Sequence, residues 1–331
     1  WRMVPGSAAS DLEAKPKSIE AAKRALADAM QRRGIQAQVT DGLWISTYRI
    51  RYRILGEPLV SIIVPTKDQV RLLARCIDSI RRKTGYKNYE ILVVDNGSVE
   101  DSTHKYLRGL AQQPGIRVLD YPQPFNFSTI NNFAAQHAQG EHLLFLNNDT
   151  EVISKEWLSA LLEHSQRPEV GAVGARLLYA DGRLQHGGVI VGLGGVAGHA
   201  HKLLPKGHNG YFVRAKVIQN FSAVTAACLM IRADLFADLG GFDGEHLPVA
   251  FGDVDLCLRI REQGLLVVWT PYAELYHHES ASRGHEDTLE KQRRFGREIE
   301  YMKTKWGDTL LNDPYYSPNL TRDREDFSLR P

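Results

Sequence analysis

The sequence predicts an α/β fold: a Rossmann-like, mostly parallel sheet with helices on both faces, preceded by a small helix-and-strand appendage. Three observations carry this. Short, mostly apolar runs recur at Leu59–Val64, Tyr89–Val94, Ile116–Asp120 and His142–Leu146, and continuous apolar runs mark strands buried on both faces. Stretches with apolar residues at helical spacing alternate with them, the pattern of a doubly covered sheet. The runs stop at polar or Pro residues, in Pro65-Thr66, Asp95-Asn-Gly-Ser98 and Asn147-Asn148-Asp149. Ligands in open α/β sheets bind at such carboxyl ends of strands.

In chain order, residues 1–17 read as a disordered lead-in rich in Pro, Gly, Ser and Ala. Ser18–Arg33 carries Ile19, Ala22, Leu26, Ala29 and Met30 at helical spacing, and Gly34 stops it. Thr47–Leu55 alternates aromatic and basic residues as a strand can. Residues 1–57 are thus expected to be an appendage or the end of a preceding domain. The main domain is expected over 58–310, with a C-terminal tail over 311–331. Within it, Val70–Lys83 turns Leu72, Leu73, Cys76, Ile77 and Ile80 to one face. Asp101–Leu110 is a second helix, and the aromatic loop Pro122–Phe127 leads to a third, capped by Ser128 and closed by Gly140. Further on, Trp157–Ser165, Asp234–Leu239 and Asp255–Gln263 are expected helices. Gly171–Tyr179, Ala223–Ile231 and Leu265–Thr270 are expected strands. Six glycines within 187–198 read as a flexible hairpin or lid; with no Gly-Lys-Ser/Thr after them they are not a phosphate-binding loop. Asp287–Trp306 is a basic amphipathic helix whose charge is expected to face solvent.

Composition narrows the function. At 331 residues, 43% hydrophobic and 24% charged, the chain is ordinary for a globular protein of one large or two small domains. A net charge of +2 gives no footprint for nucleic acid. Cys76, Cys228 and Cys257 are far apart in apolar segments, as expected of reduced thiols in a cytoplasmic protein. No signal peptide is evident, and the longest nearly apolar run, Ala223–Ile231, is too short for a transmembrane segment. Membrane contact is therefore expected to be peripheral, at the inner face, or through a lipid-bearing substrate.

The chemistry concentrates in a few places. Asp149 ends an apolar strand beside two amides, a setting suited to a hard divalent cation that keeps sites for phosphate oxygens. Asp253 and Asp255 precede a helix. Acids there often serve capping and the helix dipole alone, but Asp253 follows a Phe251-Gly252 bend that can turn it toward a cleft, as a general base requires. His277-His278 follow a strand and a Pro271 turn. His186, His199 and His201 fit no zinc spacing.

Val64-Pro65-Thr66, Asp95-Asn-Gly-Ser98, Asn132 ahead of Ala138-Gln-Gly140, Asn147-Asn-Asp149, Gly240-Gly-Phe-Asp243, Asp253-Val-Asp255-Leu and His277 occur in one order. The set resembles the family 2 inverting glycosyltransferases of the GT-A fold, over about residues 58–310. Gln185-His-Gly-Gly188, Val196-Ala-Gly-His199 and Trp306 through Asp313-Pro-Tyr-Tyr316 further resemble bacterial O-antigen and rhamnan-type transferases, rhamnosyltransferases among them. In those, such a domain is often one of several transferase domains in a long chain.

The resemblance implies a nucleotide-diphosphate sugar donor, dTDP-rhamnose or a UDP-sugar, and a lipid-linked or oligosaccharide acceptor in surface polysaccharide synthesis. It implies Mn²⁺ or Mg²⁺ held by Asp149 and His277 with Asn147, which stands where the first acid of an Asp-x-Asp motif usually is. It implies donor-nucleotide contacts from Pro65, Thr66, Asp95, Asn132 and Asn148, and Asp253 as the base, with Asp255 a secondary carboxylate for the acceptor or the helix start. Gly252 departs from the Glu usual before the base. Two other readings stay open: a sugar nucleotidyltransferase, which normally has a Gly-rich loop after its first strand, and a non-catalytic scaffold or carbohydrate-binding domain, which Asn147 and Gly252 would suit.

Overall fold

The computed structural model describes residues 16–278 and 288–330; the lead-in up to residue 15 and Glu279-Ser280 lie outside them. The elements, in order, are α1 (Pro16–Arg32), β1 (Ala37–Asp41), β2 (Tyr48–Tyr52), β3 (Val60–Thr66), α2 (Val70–Lys83), β4 (Tyr89–Asp95), α3 (Asp101–Leu110), β5 (Ile116–Asp120), α4 (Phe127–His137), β6 (His142–Leu146) and β7 (Thr150–Val152). Then follow α5 (Trp157–Ser165), β8 (Val170–Leu178), β9 (Leu184–His186), β10 (Val189–Val191), β11 (Ala197–His199), β12 (Gln219–Asn220), β13 (Cys228–Arg232), α6 (Ala233–Asp238), α7 (Gly252–Glu262), β14 (Leu266–His277) and α8 (Leu289–Leu311).

The central sheet runs β12-β14-β8-β13-β6-β3-β4-β5. The half built from the earlier strands, β6-β3-β4-β5, is parallel, as the unbroken apolar strands require: β3 pairs in parallel with β4 and β6, and β4 with β5. In the half built from the later strands, β13 is antiparallel to both β6 and β8, while β14 is parallel to β8. Alternate residues of each strand feed two cores. Val60, Ile62 and Val64 pack with α2, α3 and α5, whereas Ile63 packs with α4, α6, α7 and α8. Both faces are covered.

Several expectations shift. The cap of α4 is Asn126, whose side chain accepts from Thr129 N at 3.0 Å, and not Ser128, whose hydroxyl instead donates to Leu247 O. Residues 223–227 do not extend β13; they form the loop that enters the site. β14 runs on through Pro271 to His277, with a register shift between Thr270 and Glu274 that accommodates the proline. The glycine-rich stretch forms the hairpin β10–β11, but it is packed and not a loose lid. Gly188 (φ +100°) leaves no room for a Cβ against Phe221, and Gly192 (φ +79°) none against Leu310 O.

The appendage is a separate β1–β2 hairpin with α1 on it. It docks through Arg49, which reaches the buried Glu163 of α5 at 2.6 Å and lies over the Tyr272 ring. Residues after Leu311 are not a loose tail. Tyr316, Leu320 and Phe327 belong to the α7/α8 core, and the buried Asp313 accepts from Val191 N and Ser222 Oγ.

Candidate active site

The carboxyl ends of β3, β4 and β6, the 223–227 loop and the start of α7 surround a cavity of about 550 Å³. Strand pairing brings its parts together. β7 is antiparallel to β14 with Thr150 opposite His277, and His278 N donates to Asp149 O. That register sets His277 Nε2 3.2 Å from Asp149 Oδ1, with the Asn147 amide nitrogen also 3.2 Å from Nε2. Asp149 is almost fully buried, His277 nearly so.

The other edge of the His277 ring is held by Gln185 on β9. His277 Nδ1 is 2.6 Å from Gln185 Oε1, while Gln185 Nε2 donates to His277 O at 3.5 Å, which fixes the amide's orientation. Because Oε1 can only accept, Nδ1 carries a proton, and in the neutral ring Nε2 then carries the lone pair. A lone pair set against a carboxylate is an arrangement that a cation relieves. The donor set of carboxylate, imidazole and amide suits a divalent ion that takes its remaining ligands from phosphate oxygens and water. Among the described residues no three His, Cys, Asp or Glu gather around one point, so the protein would supply only part of the shell.

Across the cavity, Asp253 lies in the first turn of α7. Phe251 in left-handed conformation (φ 61°) makes the bend that aims it. Asp253 Oδ2 accepts from Ala226 N at 2.9 Å and Oδ1 from Val254 N at 2.9 Å. Burial pushes the carboxyl above the usual carboxylate range, opposed by these bonds and one from the Thr225 side chain. A Cβ on Gly252 would sit 3.0 Å from Ser128 Oγ, so a side chain there is crowded by the α4 start.

Pro65, Thr66, Asn147, Asn148, Asp149, Asp253 and His277 all line the cavity, and Asn148 Nδ2 donates to Thr66 Oγ1 at 3.0 Å. Three expected site residues do not line it. Asp95 is buried behind the β4 end, where its Oδ1 accepts from Ser98 N and Oγ and fixes the turn that presents Asn96. Asn132 clamps Phe242, accepting from its N at 2.9 Å and donating to its O at 2.8 Å, close against Gly241. Asp255 is fully buried and holds Arg259 (2.8 Å), Lys305 (2.7 Å) and Trp306 Nε1 (2.8 Å). It secures α7 to α8, through side chains and not through the free N–H groups of the helix start. The sequence reading missed the roles of Gln185, His199, Thr225 and Ala226, all on the cavity wall. The Gln185-His-Gly-Gly segment was the available signal for the first.

Residues 61–238 match the family described as Glycosyl transferase family 2. Over 99% of its length the chain is 50% identical to part of the uncharacterised protein y4gI of Sinorhizobium fredii, covering 36% of it. Over 95% it is 42% identical to part of the O-antigen biosynthesis protein RfbC of Myxococcus xanthus, covering 24% of that protein. The chain thus spans about a third and a quarter of the lengths of these curated relatives. In structure it is similar to the mannosyltransferase PcManGT of Pyrobaculum calidifontis, solved with GDP-Man and Mn²⁺. The TM-score is 0.55 at 17% identity, over 90% of this chain and 76% of that one. Among the described residues no helix is long and apolar enough to cross a membrane.

Proposed function

The chain belongs to glycosyl transferase family 2 and is a glycosyltransferase of GT-A fold, and on that premise we propose that it transfers a sugar, with inversion, from a nucleotide-diphosphate donor to a glycan acceptor in surface polysaccharide synthesis. The polysaccharide assignment follows from the likeness to the O-antigen biosynthesis protein, and dTDP-rhamnose is the donor we favour, with a UDP-sugar the alternative. The observation that carries the reading is the facing of Asp149 Oδ1 and His277 Nε2 at 3.2 Å in the same cavity as Asp253.

We place the nucleoside against Pro65, Thr66 and Asn96, with Asp95 behind them fixing the turn. The diphosphate then lies toward Asn147, Asp149 and His277. A divalent cation held by these residues, Mn²⁺ as in the PcManGT structure or Mg²⁺, would offset the charge that develops on the leaving diphosphate. Asp253 accepts the proton of the acceptor hydroxyl as that oxygen attacks the anomeric carbon opposite the diphosphate. Single displacement by one carboxylate-activated oxygen inverts the configuration, the same geometric logic as water attack in inverting glycosidases. The bonds from Ala226 N and Val254 N hold the carboxylate in place for that step.

Calorimetric titration of dTDP-rhamnose and UDP-glucose, with Mn²⁺ and with EDTA, tests the reading on the unaltered protein and on Asp149→Ala. Metal-dependent binding of one donor, lost in the variant, is expected. Binding indifferent to both EDTA and the substitution would sink it.

A further inference from the structure

Two histidines beside the cavity have no part in the reaction above. His186, on β9, is buried, and His199, on β11, lines the cavity. Their Nδ1 atoms are 2.8 Å apart with the rings at 89°, so one of these nitrogens must donate to the other. The backbone decides which. Thr225 N–H points at His186 Nε2 from 3.4 Å, which makes that nitrogen an acceptor. A neutral imidazole has a single N–H, so the proton of His186 is on Nδ1 and is given to His199. Burial first, and the neighbouring His199 and His277 second, hold His186 well below the usual histidine range and so keep it neutral. His199, accepting at Nδ1, carries its own proton on Nε2. The tautomer of a cavity-lining side chain is thus set by a relay from Thr225 through His186.

The same contacts say where along the cavity His199 lies. Thr225 bonds Asp253 through its side chain, at the base end. Gln185, chain neighbour of His186, bonds His277 at the diphosphate end. His199 lines the same cavity as Asp253 and His277, and through His186 it is tied to both sides, so we place it on the wall between these ends. In a nucleotide-diphosphate sugar the part that lies between diphosphate and attacking acceptor is the sugar being transferred. That sugar presents hydroxyl oxygens, which a fixed N–H recognises.

We propose that His199 is a sugar-specificity residue whose Nε2–H donates to an oxygen of the transferred sugar. The proposal rests on the nucleotide-sugar reading of the cavity. A donor aimed at a substrate hydroxyl discriminates strongly, because the partner left unpaired in the wrong complex is desolvated without compensation.

The test compares ligands with and without the sugar. With Mn²⁺ present, dTDP and dTDP-rhamnose, and in parallel UDP and UDP-glucose, are titrated into the unaltered protein, His199→Phe and His199→Gln, each variant first checked by thermal melting. For the pair that binds, the nucleoside diphosphate should keep its affinity within about twofold in every variant, while the nucleotide sugar binds at least about tenfold more weakly to His199→Phe, as the loss of about 1.4 kcal/mol implies. His199→Gln, which keeps an N–H at similar reach, should recover most of that loss. If the Phe variant melts early, His199→Ala takes its place against His199→Gln. Equal losses for the two ligands, or no loss for either, overturn the proposal. Failure of the unaltered protein to bind either pair overturns the nucleotide-sugar reading itself, and is seen before any variant is made.

Discussion

Gln185 and His277 are joined twice, by Oε1 to Nδ1 at 2.6 Å and by Nε2 to the His277 carbonyl at 3.5 Å. The pair fixes which nitrogen of the imidazole faces Asp149. Partners that orient a metal-binding histidine typically contribute about 10- to 100-fold to metal affinity. Gln185→Leu should therefore weaken Mn²⁺ binding by about that factor, read by electron paramagnetic resonance titration in the presence of nucleotide. Gln185→Glu keeps the acceptor and should stay near the unaltered value. An unchanged affinity in the Leu variant would show that Gln185 only fills space.

Asp253→Asn should leave donor affinity intact and slow transfer about 10²- to 10⁴-fold, the usual loss for a general base. Its carboxyl is raised by burial, and only the ionised form can accept a proton. The rate should thus fall as pH drops through a value above the ordinary carboxylate range, and the inflection should vanish in the variant. Near-normal turnover by Asp253→Asn would place the base elsewhere.

Asp255→Asn should behave differently, since Asp255 is fully buried with Arg259 and Lys305 against it. Neutralising one partner of a buried ion pair strands the others and typically costs about 3–5 kcal/mol. Chemical denaturation should show this loss, while the protein that remains folded keeps donor affinity and most of its transfer rate. A stable but inactive Asp255→Asn would reverse the roles given to the two carboxylates.

Acid should destabilise the fold through His142 and His164. Burial, aided by Arg232, lowers His142 to about 4, and burial, aided by Arg167 and Arg49, lowers His164 to about 3. Both are below the ordinary 6.5, so the unfolded chain takes up protons first as pH falls. Stability is full above that value and drops below it, by up to about 1.4 kcal/mol per pH unit for each histidine, until the folded-state values are reached. His164→Gln should remove about half of that slope between pH 6 and 4 in denaturation midpoints. An unaltered slope would assign the acid sensitivity elsewhere.

The parallel half of the fold was legible because its strands are apolar on both faces, and residues such as Ile63 and Val64 have nowhere to go but into two cores. The mixed half was not. Nothing local in Cys228–Arg232 says that β13 runs against its neighbours, and Ala223–Ala227 is apolar because Ala223 and Val224 enter the core and Ala226 and Ala227 line the cavity, not because it is a strand. The site was legible where a residue ends a strand, as Asp149 does, or follows a bend, as Asp253 does. It was illegible where a polar side chain serves the backbone. Asn132 and Asp255 have the chemistry of ligands, yet their partners, Phe242 and Trp306, are 110 and 51 residues away. Gln185 and His199 come to the cavity only through pairings between short strands, β9 on β8 and β11 on β10, that no periodicity announces.

The buried carboxylate of Asp313, on Val191 N and Ser222 Oγ, bears on where this protein can be cut. The strand that carries Val191 belongs to the hairpin that also carries His199, so a chain shortened after α8 would leave that hairpin without its anchor and the α7/α8 core without Tyr316, Leu320 and Phe327. Anyone isolating the catalytic unit from a longer polypeptide should place the downstream boundary beyond Phe327. The segment after α8 is thus a strap that holds the β10–β11 hairpin, and with it His199, in place.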